Sequence, residues 1–158
     1  MKNLKIENVW EYPRPPICDP HLGEIKVIIN NKTVAKSKNV IRVLETSHPP
    51  TYYIPVNDIK LDFLKKNKNN SFCEWKGFAN YYDLTADEVN IPNVGWYYPK
   101  PTKNFFSIKN FVSFYAVGKL KCVVNGEVVK KQDGNFYGGW ITSNLRGPFK
   151  GGTGTMGW

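Results

Sequence analysis

Apolar and polar positions alternate most clearly at residues 25–36 and 120–131. The stretches IKVIINNKTVAK and LKCVVNGEVVKK each set a β-branched run, a two-residue Asn-Asn or Asn-Gly turn and a second run in the same order. That order predicts a β-hairpin with a primed turn. Two such hairpins, 95 residues apart, suggest an internal pseudo-repeat and pseudo-symmetric halves, against a background in which short hairpins resemble one another through shared propensities. Short runs bounded by turn residues predict further strands over 40–45, 51–55, 59–64, 72–76, 81–84 and 112–116. One helix is predicted over 102–110, with Thr102 as its N-cap and Phe105, Ile108 and Phe111 on one face. The run KKNKNN, residues 65–70, reads as a solvated loop.

The last 25 residues hold eight of the 13 glycines and read as a loop-rich wrap. Phe136, Tyr137, Trp140, Phe149 and Trp158 are expected to press it onto the body while glycines let the backbone turn. The resulting expectation is a mainly β protein: a single complex-β domain over 1–158, built from two related small sheets or hairpin halves, one short helix and a Gly/aromatic-rich C-terminal wrap. Residues 1–22 would form an N-terminal arm, 23–132 the β core and 133–158 the wrap.

Composition narrows the class. A chain of 158 residues closes a core without metal or disulfide staples, and 15% aromatic residues mean that large flat side chains carry much of the packing. No run approaches the roughly 20 apolar residues of a membrane span, and the polar start MKNLKIENVWEYPRPP lacks a signal-peptide core, so a cytoplasmic protein with no membrane partner is expected. Cys18, Cys73 and Cys122 are odd in number and far apart, which does not suggest a disulfide framework. The net charge of +9 invites nucleic acid, but 19 of the 22 basic residues are Lys, whereas base-edge readout favours the guanidinium fork. Nucleic acid is therefore not the expected partner.

Candidate chemistry concentrates in two segments. In ETSHPPTYYIP, residues 45–55, strand alternation puts Ile41, Val43 and Glu45 on one face, so an apolar face ends in a carboxylate at a pocket rim. Glu45 and the Thr46 and Ser47 hydroxyls either satisfy the backbone of the following turn, or Glu45 and His48 form a proton-handling pair stiffened by Pro49 and Pro50. In the second case the pH dependence should lie near neutrality, set by His48. In FCEWKG, residues 72–77, Cys73 and Trp75 face one way and Lys76 the other. Lys76 either pairs with Glu74 at the surface or reaches into a cleft beside Glu45, Tyr53 and His48 to bind an anion. The candidates are Glu45, His48 and Lys76 as catalytic groups, with Tyr53, Cys73, Trp75 and Arg42 as ligand-binding groups. No metal is expected: Cys18 and His21 have chelating spacing, but the paired knuckles of a zinc site are missing. No cofactor is expected either, since GTGTMG, residues 152–157, matches a dinucleotide fingerprint without the strand and helix that give it meaning.

These residues carry a resemblance. ETSHPP, then YYIP, then CEWKG look like the hallmark segments of the domain-of-unknown-function family numbered 427, and VWEYPRPP, FYGGWIT and GPFKGGTGTMGW resemble its longer members. The resemblance implies a compact β domain of two related sheets. The family carries a nucleotidyltransferase-like label, although the D-x-D carboxylate pair and phosphate-gripping loop of such enzymes do not occur in this sequence. The leading functional expectation is a small-molecule pocket for an anionic, ring-bearing ligand such as a nucleotide or sugar phosphate, with or without catalysis. The alternatives are a non-enzymatic protein-interaction module and a basic β domain that binds RNA.

Overall fold

Asn30 and Asn31 take φ of 49° and 61°, and Asn125 and Gly126 take 48° and 88°. Positive φ at both central residues is the backbone of a type I′ turn, whose twist matches that of the flanking strands. A computed structural model describes residues 5–158 and has both expected hairpins: Ile25–Ile29 with Lys32–Ser37, and Lys121–Val124 with Glu127–Val128. They lie side by side in one four-stranded sheet, joined by antiparallel pairing of Lys121–Val124 with Ile25–Ile29. Ile25, Val27 and Ile29 point into the core and alternate with half-buried neighbours, as period-two patterning requires. A bulge opposite Val27 and Ile28 lets the consecutive Val34 and Ala35 both be buried.

The second four-stranded sheet is a meander of Leu64–Cys73, Gly77–Ala86, Val89–Tyr97 and Ser113–Phe114. A third, three-stranded sheet pairs Ile17–Pro20 with Ile41–Leu44 and the latter with Thr51–Tyr53. Two short pairs complete the protein, Lys130–Lys131 with Trp140–Ile141, and Glu7–Asn8 in parallel with Leu145–Arg146. The architecture is mainly β, made of several small sheets with very little helix. The first four residues of the expected arm lie outside the described residues. Among the described residues no helix is long and apolar enough to cross a membrane.

Several local expectations are corrected. Residues 65–70 are not a loop but the middle of an edge strand; an edge strand needs no apolar alternation, and its lysines discourage pairing with another chain. Residues 59–64 turn through a 3-10 segment, Leu61–Phe63, before that strand begins. The strand expected over 72–76 ends at Cys73, and Glu74, Trp75 and Lys76 form the turn into Gly77, whose φ is 100°. The predicted helix is a 3-10 element, Lys103–Ile108, kinked at Phe105. Phe105 and Ile108 are buried as their spacing suggests, but Thr102 does not cap it, because its hydroxyl donates to the Trp75 carbonyl at 2.6 Å. In the wrap, Trp140 is fully buried, stacks on Tyr52 at 5.0 Å and donates its indole N–H to the Phe114 carbonyl at 2.8 Å. Phe136, by contrast, is exposed.

Candidate functional site

The segment from Glu45 to Pro50 leaves the strand Ile41–Leu44 and doubles back at once. Ser47 sits at φ 72°, and the His48 N–H donates to the Glu45 carbonyl at 3.0 Å. This turn returns the imidazole to the carboxylate, with His48 Nε2 3.5 Å from Glu45 Oε2. Both ends of the described chain brace it. The Ser47 N–H donates to the Val9 carbonyl at 3.0 Å, and the Lys150 N–H donates to the Ser47 carbonyl at 2.8 Å. The Thr46 hydroxyl donates to the Tyr12 carbonyl rather than to its own turn, and the buried Ser47 hydroxyl has no partner among the described residues.

Lys76 comes from the turn at the far end of the long hairpin. The Thr102 N–H donates to the Lys76 carbonyl at 3.1 Å, which, with the Thr102–Trp75 bond, fixes the turn. The lysine side chain folds inward to 8% exposure, its ammonium 5.7 Å from the Tyr98 ring centre and 5.9 Å from that of Phe105. No ion pair among the described residues includes it. Burial disfavours its charge; Tyr53 and Cys73 act against burial once they ionise at alkaline pH, with the Glu45 carboxylate and a hydrogen bond with Cys73 beside them, and the net shift is upward.

Glu45, His48, Tyr53, Cys73 and Lys76 line one chamber of about 110 Å³. Val43 also lines it, as alternation with Glu45 requires. Tyr98 and Trp96 supply aromatic walls, and the Trp96 indole N–H donates to the Tyr53 hydroxyl at 3.2 Å. Burial pushes the Tyr53 and Tyr98 hydroxyls above the usual phenol range, so both keep their protons. A larger groove of about 550 Å³ adjoins the chamber, and Tyr81, Tyr115, Gln132, Phe136, Tyr137 and Gly138 border both. Gly138 lets the wrap close over the chamber, because a Cβ there would lie 2.2 Å from the Trp96 ring.

Two expected ligand-binding residues lie elsewhere. Trp75 packs on the aromatic cluster that contains Tyr53 and Phe105, outside the chamber. Arg42 projects from the opposite face of its strand, where its guanidinium donates to Glu7 at 3.0 Å and Asp19 at 2.7 Å. Burial raises the Glu7 pKa, but hydrogen bonds from Arg42 and Tyr12 outweigh it and the carboxyl is held low. Arg42 is therefore occupied by a structural network and does not reach the chamber.

The expected neutral pH dependence is also corrected. Burial, followed by the charges of Lys150, Arg14 and Lys76, pushes the His48 pKa down to about 4. Arg14 also faces the Glu45 carboxylate, at 3.6 Å. Near pH 7 the imidazole is neutral and the chamber has three neighbouring cations against one carboxylate. Sequence reasoning missed Gln132, which is 2% exposed and contacts His48 Nδ1 through its Nε2 at 3.3 Å. Nothing in KKQDGN distinguishes that glutamine, because its position depends on the antiparallel pairing of Lys130–Lys131 with Trp140–Ile141.

No curated protein matches the sequence. The model of the family described as Domain of unknown function (DUF427), which carries a nucleotidyltransferase label, matches residues 17–126. That span includes Glu45, His48, Tyr53, Cys73 and Lys76 and excludes Arg14, Gln132, Tyr137 and Lys150. With well over half of its length matched, the chain belongs to the DUF427 family.

Proposed function

We propose that the protein binds a small anionic, ring-bearing molecule, a nucleotide or a sugar phosphate, with its anionic group beside Lys76 and its ring in the adjoining groove. The observation that carries this reading is a buried ammonium, aimed into an aromatic chamber, that has no carboxylate within ion-pair distance among the described residues. Buried charges are ordinarily paired, so an incoming anion supplies the missing partner. Size supports the division of labour. A water needs about 10–15 Å³ of such space, so a chamber of about 110 Å³ admits a phosphate or carboxylate but not a whole nucleotide. The groove of about 550 Å³ has Tyr81, Tyr115 and Tyr137 to meet a ring.

Binding, rather than proton transfer by His48, is what these groups are set for at neutral pH. The family label is compatible with a nucleotide but does not supply a reaction. A thermal-shift screen with nucleotides and phosphorylated sugars tests the reading: a stabilising ligand should lose its effect in Lys76→Met and keep or increase it in Glu45→Gln, which removes the one carboxylate facing the anion. A response retained in full by Lys76→Met would remove the anion site. The protein-interaction reading has one observation in its favour, the exposed pair Phe72 and Phe78 with ring centres 5.0 Å apart, and gains if no ligand of either class produces a shift.

A further inference from the structure

Gln132 is a buried carboxamide at the chamber, and all three of its polar contacts point the same way. Its Oε1 accepts the Gly139 N–H at 3.0 Å, while its Nε2 donates to the Lys150 carbonyl at 2.7 Å. A flipped amide would set N–H against N–H and oxygen against oxygen, so these two backbone contacts fix which end is the nitrogen. Nε2 also lies 3.3 Å from His48 Nδ1, and an amide nitrogen can only donate, so its remaining hydrogen is the one available to that ring nitrogen. A nitrogen that receives a hydrogen must present its lone pair, which leaves the imidazole proton on Nε2.

We propose that Gln132 is a positioning residue that locks His48 as the Nε2–H tautomer, turning the imidazole into a hydrogen-bond donor at the chamber. The groups around the ring agree with the lock. Arg14, Lys76 and Lys150 oppose a second proton, Tyr137 meets the ring edge-on at 4.8 Å, and Glu45 lies on the Nε2 side at 3.5 Å. That last distance is loose for a hydrogen bond, so the Nε2–H can be shared with an incoming acceptor. The consequence for ligand class rests on the binding reading above. A chamber that presents the Lys76 ammonium and the His48 N–H favours a group that only accepts, such as a phosphate, over a hydroxyl or an amine.

The lock is measured without a ligand. The chain has two histidines, so long-range proton–nitrogen correlation spectra of the labelled protein contain two imidazoles, and His48→Asn assigns them. At pH 7 the expected result is a neutral His48 with its proton on Nε2. Gln132→Glu keeps the acceptor for Gly139 and replaces the donor facing both Nδ1 and the Lys150 carbonyl by an acceptor. It should move the proton to Nδ1 and raise the titration midpoint above about 4. Gln132→Met, which removes both polar ends at similar length, should give a mixture of the two tautomers, and it serves if the glutamate variant does not fold. A wild-type proton on Nδ1, or an unchanged tautomer and midpoint in a folded variant, overturns the lock. Inorganic phosphate, added separately, should shift the Nε2 signal. If the tautomer is as expected and phosphate moves neither nitrogen, the lock stands and the anion reading fails.

Discussion

Replacing Lys76 with methionine should make the unliganded protein more stable while abolishing its response to anions. Methionine keeps the length and most of the volume of the side chain and removes the charge. The ammonium sits at 8% exposure with no ion-pair partner among the described residues, and Tyr53, which burial keeps protonated, carries no charge at pH 7. Desolvating a buried ion costs several kcal/mol, which the more distant Glu45 offsets only in part, so an apolar side chain of similar volume is favoured here by about 1–4 kcal/mol. The loss of contacts with the Tyr98 and Phe105 faces removes about 1–2 kcal/mol of attraction, since cation–π pairs gain when desolvated. The net expectation is a gain of about 1 kcal/mol, which for a chain of this size raises the melting temperature by about 2–4 °C. Urea denaturation at pH 7, followed by tryptophan fluorescence, gives the free-energy difference directly, and an unchanged slope shows that the comparison concerns stability alone. A loss of more than about 1 kcal/mol would show that Lys76 braces the fold, and the argument from a buried cation awaiting its partner would fail.

Three further outcomes are expected from the same structure. His48 is depressed from an ordinary 6.5 to about 4, so its contribution to stability is complete above pH 6.5 and disappears as pH falls toward 4, where the unfolded chain binds the extra proton. Wild type should therefore lose about 3 kcal/mol more than His48→Asn across that interval in denaturation series, and parallel curves would refute the shift. Gly138→Ala should cost about 1–3 kcal/mol, because the new methyl meets the Trp96 ring at 2.2 Å, and it should blunt any ligand response by displacing a chamber wall; a neutral melt would count against the close approach. Arg42→Leu should destabilise by about 1–3 kcal/mol through the loss of its bonds to Glu7 and Asp19, yet leave ligand-induced shifts intact, in contrast to its expected role as a binding residue.

The parts of the structure legible in the sequence are those fixed by short-range physics. Asn30-Asn31 and Asn125-Gly126 announced two hairpins because positive φ is accessible to few residues, and the alternation of Val43 with Glu45 gave the correct face of a short strand. The prolines after His48 likewise marked a rigid turn. What escaped depends on neighbours distant in sequence. The edge strand through Lys65 and Asn70 carries no apolar signal, since only one side of it is paired and its lysines point to water. Phe105 and Ile108 gave the buried side of their segment but not its helix type or its missing cap, since the Thr102 hydroxyl turns to Trp75. Arg42 looked like a ligand residue because nothing local shows that Glu7 and Asp19 converge on it. Gln132 became visible only once the wrap had placed it against His48.

The wall that carries Gln132, Tyr137 and Gly138 comes after the family-matched span, and Lys150 then reaches back to Ser47. A ribosome working from the N-terminus thus releases the segments with Glu45, His48 and Lys76 well before the residues that close around them. Until that last portion emerges, the chamber lacks this wall, although every strand of the three larger sheets has already been made.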